Sequence, residues 1–163
     1  PYRYCLAEHD TAGDRFDPAA HRQQLAASLA DSQLLLVRGS DGSLHGYALL
    51  RQQSATHWFV GMLNVHPAHR HRRVLHALFQ QLAALPGWAA DSVLQSHVYR
   101  TNKASLQFHK KLGFIPGQQN DKAVALSIRY DTLQARLQRL LTKEHADYTL
   151  ALARELAPLL AGY

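Results

Sequence analysis

The chain has 163 residues, 47% of them apolar and 18% charged, which suits one domain with a sizeable core. Its net charge of +6 and pI near 9.7 favour polyanionic partners, a class that includes both phosphate-bearing small molecules and nucleic acid. A single cysteine, Cys5, excludes an internal disulfide. No apolar run approaches the roughly 20 residues that cross a bilayer, and no signal-peptide pattern opens the sequence, so a cytoplasmic location is expected. The first residue is Pro1 rather than methionine, which leaves the true N-terminus open.

Tyr2 to Ala7 reads as a short strand and Asp10 to Phe16 as a loop. Asp17-Pro18 is a helix start, an N-cap followed by proline at the first helical position, and the helix is expected to run to about Leu29. Ser32 to Arg38 and Leu44 to Arg51 read as a strand pair joined by the turn Gly39-Ser-Asp-Gly42, with His57 to Val65 as a third antiparallel strand. Val74, Leu78, Leu82 and Leu85 recur at helical spacing in the next segment, which Pro86-Gly87 closes. Ser92 to Tyr99 is a strand and Asn102 to Leu112 a helix, with Gly113 at the C-cap. A strand starts at Phe114-Ile115, Pro116 to Lys122 reads as a turn, and Ala123 to Tyr130 is the last strand. Beyond it, Leu133, Leu137 and Leu141, then Tyr148, Leu152, Leu156 and Leu159, form an apolar stripe on one or two helices.

The stretch from His66 to His76 carries the chemistry. It holds Arg70, Arg72 and Arg73, four histidines and no acid, and it leads from a strand into a helix. A helix start exposes unpaired N–H groups and the positive end of the helix dipole, so this loop is suited to a multiply charged anion such as a phosphate-bearing cofactor. The plainer alternative is a solvated basic face at a helix start.

The pattern Leu63-x-Val65-x-Pro67-x-x-Arg70 before a helix resembles the cofactor core of the GNAT superfamily of acyl-CoA-dependent N-acyltransferases. Downstream, Asn102-Lys-Ala-Ser-Leu-Gln-Phe-His109-Lys-Lys-Leu-Gly113-Phe114 is similar to that family's Asn-x-x-Ala-x-x-x-Tyr-x-x-x-Gly-Phe segment. The resemblance covers about Leu34 to Tyr130. It implies an α/β (α+β) fold with a mixed, mostly antiparallel central sheet flanked by helices over residues 1–130; the family core does not need residues 131–163, which the apolar stripe makes a helical extension packed on the same domain or on a partner subunit. It also implies transfer of an acetyl or other acyl group from acyl-CoA to a primary amine by direct attack in a ternary complex. The acceptor stays open among small amines, amino sugars and peptide amines.

By the same resemblance, the backbone of Leu63, Asn64 and Val65 pairs with pantetheine, and the loop Arg70, His71, Arg72, Arg73, Val74 and Leu75 holds the pyrophosphate. Asn102 touches the pantetheine arm and also caps its helix. His109 stands where the family has its tyrosine acid, and an imidazole is competent to donate a proton near neutrality. His71, Arg73 and Leu75 stand where the family has small residues, which lets the three arginines offset weaker amide contacts with charge-assisted bonds. No acid lies on His57 to Val65, so the general base stays open among His57, His66 and His97, with Glu8 and Asp10 as outsiders.

The histidine cluster lacks nearby cysteines or carboxylates, and its arginines repel cations, so no metal is expected. Cys5 has no placed base and carries no nucleophile assignment. Nucleic-acid binding lacks interleaved aromatics. Two readings are carried forward: an N-acyltransferase, and a catalytically inactive GNAT-like fold serving as a binding or assembly module. A homodimer through the C-terminal helices is expected from the apolar stripe.

Overall fold

The computed structural model describes residues 17–70, 72–139 and 142–143. The first strand with Cys5, the outsiders Glu8 and Asp10, His71, and the stripe from Leu141 onward lie outside the described residues.

Helix α1 (Pro18–Leu29) starts as its sequence dictates: Asp17 Oδ1 accepts from the Ala19 and Ala20 amides at 2.9 and 3.3 Å. Strands β1 (Gln33–Arg38), β2 (Leu44–Ser54) and β3 (His57–Val65) form an antiparallel meander. Helix α2 (Arg72–Ala84) then crosses over to β4 (Val93–Tyr99), which lies parallel to β3, as a crossover helix requires. Helix α3 (Lys103–Leu112) leads to β5 (Ile115–Gln119) and β6 (Ala123–Arg129). A further helix, α4, covers residues 130–139. The six strands lie in the order β1-β2-β3-β4-β6-β5, all neighbours antiparallel except β3 and β4. No described helix is long and apolar enough to cross a membrane.

One core forms where α2, α3 and α4 cover the sheet. Val74, Leu78, Phe79 and Leu82 of α2 and Leu112 of α3 pack on Ala48, Leu50, Leu94 and Leu126. Leu133 of α4 is fully buried in the same cluster and Leu137 packs against it, so the first part of the C-terminal stripe covers this chain's own core. Truncating such a leucine to alanine costs about 2–5 kcal/mol. Trp88 stacks between Trp58 and Tyr130, at 4.6 and 4.5 Å between ring centroids, and its indole N–H donates to the Leu82 carbonyl at 2.8 Å. That stack pins the end of α2 to the sheet and to the start of α4.

One expectation is corrected. Pro116 to Lys122 is not a turn: β5 runs from Ile115 to Gln119, and the turn is confined to the residues after it. Proline is tolerated because β5 is an edge strand, and the pairing slips between Pro116 and Gln119. Asn120 makes the tight turn, its Oδ1 accepting from the Lys122 and Ala123 amides at 2.9 and 2.7 Å.

Candidate functional site

The parallel join between β3 and β4 is short. It consists of His57↔Val93, Trp58↔Leu94, Phe59↔Gln95 and Val60↔Ser96, and it ends there, although β3 continues to Val65 and β4 to Tyr99. The next residue of β3, Gly61, is a bulge: Val60 pairs with Leu50 and Met62 with Leu49, leaving Gly61 as the extra residue. A bulge bends its strand and raises its twist, so β3 stays with β2 and turns away from β4. It also resets the alternation of faces. Leu63 and Val65 pack toward the core on the helix-covered side, as Val60 does, while the Asn64 amide on the other face donates to the Tyr47 hydroxyl at 3.1 Å. Two diverging parallel strands present main-chain N–H and C=O groups to the gap between them, which suits an extended amide-bearing ligand.

At the open end of β3 the chain turns sharply. The His66 amide donates to the His45 carbonyl at 2.8 Å, and His66 Nδ1 accepts from the Ala68 amide at 3.2 Å, capping the 3-10 turn Pro67–His69. The His69 ring stacks on His45 with centroids 3.6 Å apart. Arg70 follows, and α2 starts at Arg72 with no acid in its first turn. Val74 points down onto β2 over Gly46; Arg72 and Arg73 are exposed. Leu75 is half-buried and lines a cleft of about 410 Å³ with Arg72, Phe79, Phe108, Leu112 and Leu137. Of the three bulky side chains that replace expected small ones, the two among the described residues, Arg73 and Leu75, are not buried beneath the helix start. In any helix the first-turn amides have no carbonyl one turn earlier to pair with.

The second segment brings His109 to Ser96, at the end of the β3–β4 ladder, and starts its helix at Asn102. Asn102 Oδ1 accepts from the Ser105 amide at 3.1 Å, and Gly113 at φ 95° ends the helix in the left-handed conformation. His109 faces β4. Its Nδ1 lies 2.7 Å from the Ser105 carbonyl oxygen and its Nε2 lies 3.1 Å from Ser96 Oγ. A carbonyl only accepts, so Nδ1 bears the hydrogen and the neutral ring accepts the Ser96 hydroxyl proton at Nε2. Phe108 and Phe114 meet the ring edge to face. Burial pushes His109 below the usual imidazole range, partly offset by its bond to the Ser105 carbonyl.

The base candidates are scattered. His57 bonds Ser54 and Thr56 hydroxyls at the closed end of the β3–β4 ladder, away from the basic loop. His66 is committed to its cap, and His97, exposed, packs edge-on to Phe59. Among the described residues no group of three His, Cys, Asp or Glu is arranged to hold a metal. Ser96 escaped sequence reasoning. Its signal was present, since it is a polar residue in the buried phase of Leu94, Ser96 and Val98.

The model of the acetyltransferase (GNAT) family matches residues 4–114. Among solved structures, the chain is similar to a probable acetyltransferase of the GNAT family from Chromobacterium violaceum, with 22% identity, 78% of this chain and 75% of that one covered, and a TM-score of 0.56. It is similar to an N-acetyltransferase from Thermoplasma acidophilum in complex with coenzyme A, with 16% identity, coverage of 74% and 83%, and a TM-score of 0.54. Mutant forms of the spermidine/spermine N-acetyltransferase of Vibrio cholerae share 12% identity, with coverage of 76% and 83% and a TM-score of 0.51. At these identities the likeness is one of fold. Among curated proteins, no sequence matches this chain.

Proposed function

The chain belongs to the acetyltransferase (GNAT) family, and from that premise we propose that it moves an acetyl or other acyl group from acyl-CoA to a primary amine by direct attack in a ternary complex. The observation that carries this reading is the parallel β3–β4 ladder that stops at Val60–Ser96 with the basic loop and helix α2 at its open end.

In this reading the main chain of Leu63, Asn64 and Val65 pairs with the pantetheine arm and holds the thioester carbonyl. Preorganised N–H groups at a developing oxyanion are commonly the largest single contribution to acyl transfer. The pyrophosphate sits on the first-turn amides of α2, at Val74 and Leu75, with Arg70, Arg72 and Arg73 supplying charge-assisted bonds. Asn102 caps α3 beside the arm. His109 handles the proton that ends on the departing thiol. Placing two reactants side by side in such a cleft is itself worth several kcal/mol of barrier. The C-terminal extension, past the part that covers this chain's own core, pairs two subunits.

Calorimetry with acetyl-CoA and CoA, followed by thiol release with spermidine, glucosamine and a lysine-containing peptide, tests the proposal. Binding plus turnover with an amine is the expected result. Binding without turnover on any amine favours the assembly-module reading, and absent binding removes the acyltransferase.

A further inference from the structure

We propose that the Ser96 hydroxyl is the group that exchanges protons with the reacting atoms, and that His109 works behind it as a proton store. This rests on the acyl-transfer reading above and deepens it. Ser96 is the β4 member of the last β3–β4 pair, so its side chain lies at the apex where the two strands part. It is 6% exposed, on the helix-covered face, and its Oγ is 3.1 Å from His109 Nε2. His109 is held on its other side by the Ser105 carbonyl at 2.7 Å, and Phe108 and Phe114 fix the plane of the ring. The imidazole is therefore oriented toward one partner, and that partner belongs to the last β3–β4 pair, where the ladder ends.

The resting state dictates the order of events. A neutral His109 whose Nδ1–H is committed to a carbonyl has no proton to donate at Nε2; it has a lone pair there. Its buried setting favours that neutral state. It therefore receives a proton before it gives one.

As the amine nitrogen bonds to the thioester carbon, the amine N–H proton passes to Ser96 Oγ while the Ser96 hydroxyl proton passes to His109 Nε2. The carbonyl π pair becomes the oxyanion. On collapse the C=O reforms and the C–S bond breaks with its pair on sulfur. Ser96 gives its proton to that sulfur and regains one from His109 Nε2. One proton has moved from nitrogen to sulfur, the amide and free thiol are the products, and the pair is back in its starting state. The absence of an acid on β3 needs no further base under this scheme.

The test uses the full chain, acetyl-CoA, and whichever of spermidine, glucosamine or the lysine peptide the wild-type protein acetylates. Ser96→Ala is expected to lower kcat about 100-fold, the ordinary scale of a lost general acid–base group, with the acetyl-CoA Kd within about twofold. Ser96→Thr, which keeps the hydroxyl, recovers most of that loss. The solvent-isotope proton inventory of kcat is curved for the wild type, where two protons move together, and is linear for Ser96→Ala. Should Ser96→Ala lower the melting temperature sharply, its proton inventory, a ratio of rates that does not depend on the folded fraction, still gives the reading. A kcat for Ser96→Ala within about threefold of wild type, or an unchanged inventory, overturns the proposal while leaving acyl transfer standing. A wild-type protein that binds acetyl-CoA but acetylates none of the three amines overturns the enzyme reading itself, before any substitution is made.

Discussion

Gly46 on β2 lies directly beneath Val74 on α2: a Cβ at Gly46 would sit 2.8 Å from Val74 Cγ1 and 3.1 Å from the Asn64 carbonyl oxygen. The contact ties the first turn of the helix, whose amides face the proposed pyrophosphate, to the strand that carries β3. Gly46 is needed for space, because Val74 is buried and stiff at χ1. Gly46→Ala is therefore expected to cost about 1–3 kcal/mol through overpacking and to weaken acetyl-CoA binding by tilting the helix start. Adding Val74→Ala makes room and recovers part of both losses. Melting temperatures and calorimetric Kd values for the two single variants and the double variant check the coupling.

Arg73 is exposed at the start of α2, and Arg70 ends the turn before it. Arg70→Ala and Arg73→Ala are each expected to weaken acetyl-CoA binding about tenfold, or about 1.4 kcal/mol. The deficit shrinks as salt rises, because the Debye length falls from about 10 Å at 0.1 M to about 3 Å at 1 M. Titrations at two salt concentrations measure it. Equal Kd values for the variants and wild type at low salt would assign this loop to the solvated surface.

Asn102 has two tasks that substitution separates. Asn102→Ala removes the cap on the Ser105 amide and is expected to cost about 1 kcal/mol. Asn102→Asp keeps a capping oxygen at a helix start and so keeps the stability, but it presents a carboxylate to the pantetheine arm. Its melting temperature stays near wild type while KM for acetyl-CoA rises. Unchanged KM in Asn102→Asp leaves capping as the only role.

His109 also makes stability depend on pH. Its folded-state value lies below the ordinary 6.5 because burial disfavours the imidazolium. As pH falls below 6.5, the unfolded chain takes up a proton that the folded chain resists, so folding loses stability on acidification. His109→Phe fills the site without a titrating group, and its melting temperature falls less between pH 7 and pH 5 than that of wild type. Parallel curves for the two proteins would remove His109 as the cause.

The proposed homodimer has a direct test. Cutting after Tyr130 would strip Leu133 from the core, so the informative deletion removes residues 144–163 and keeps α4. The shortened chain is expected to elute as a monomer and the full chain as a dimer, with melting temperatures compared to check folding. A full-length chain that already elutes as a monomer refutes the pairing.

Much of this was legible along the chain. Asp17-Pro18, Gly42, Asn102 and Gly113 announced their caps and turns because each solves a local problem of φ or of an unpaired amide. The stripe Val74, Leu78 and Leu82 declared the buried face of α2. The segment after Pro116 misled, because proline signals a turn locally, and only the edge position of β5 makes it harmless there.

What the sequence determined by itself was the order of the elements, the basic turn before α2, and the family, since these rest on spacing and on interactions within a few residues of one another. What only the tertiary structure decided was the meeting of distant segments. The bulge at Gly61 depends on register against β2, and the β3–β4 ladder stops at Ser96 through pairing across an intervening helix. His109 reads as an acid from its position in a motif. Packed against Ser96, with its other nitrogen held by a carbonyl, its neutral ring accepts at Nε2, because the direction of a hydrogen bond is set by the partner and the chain does not name that partner.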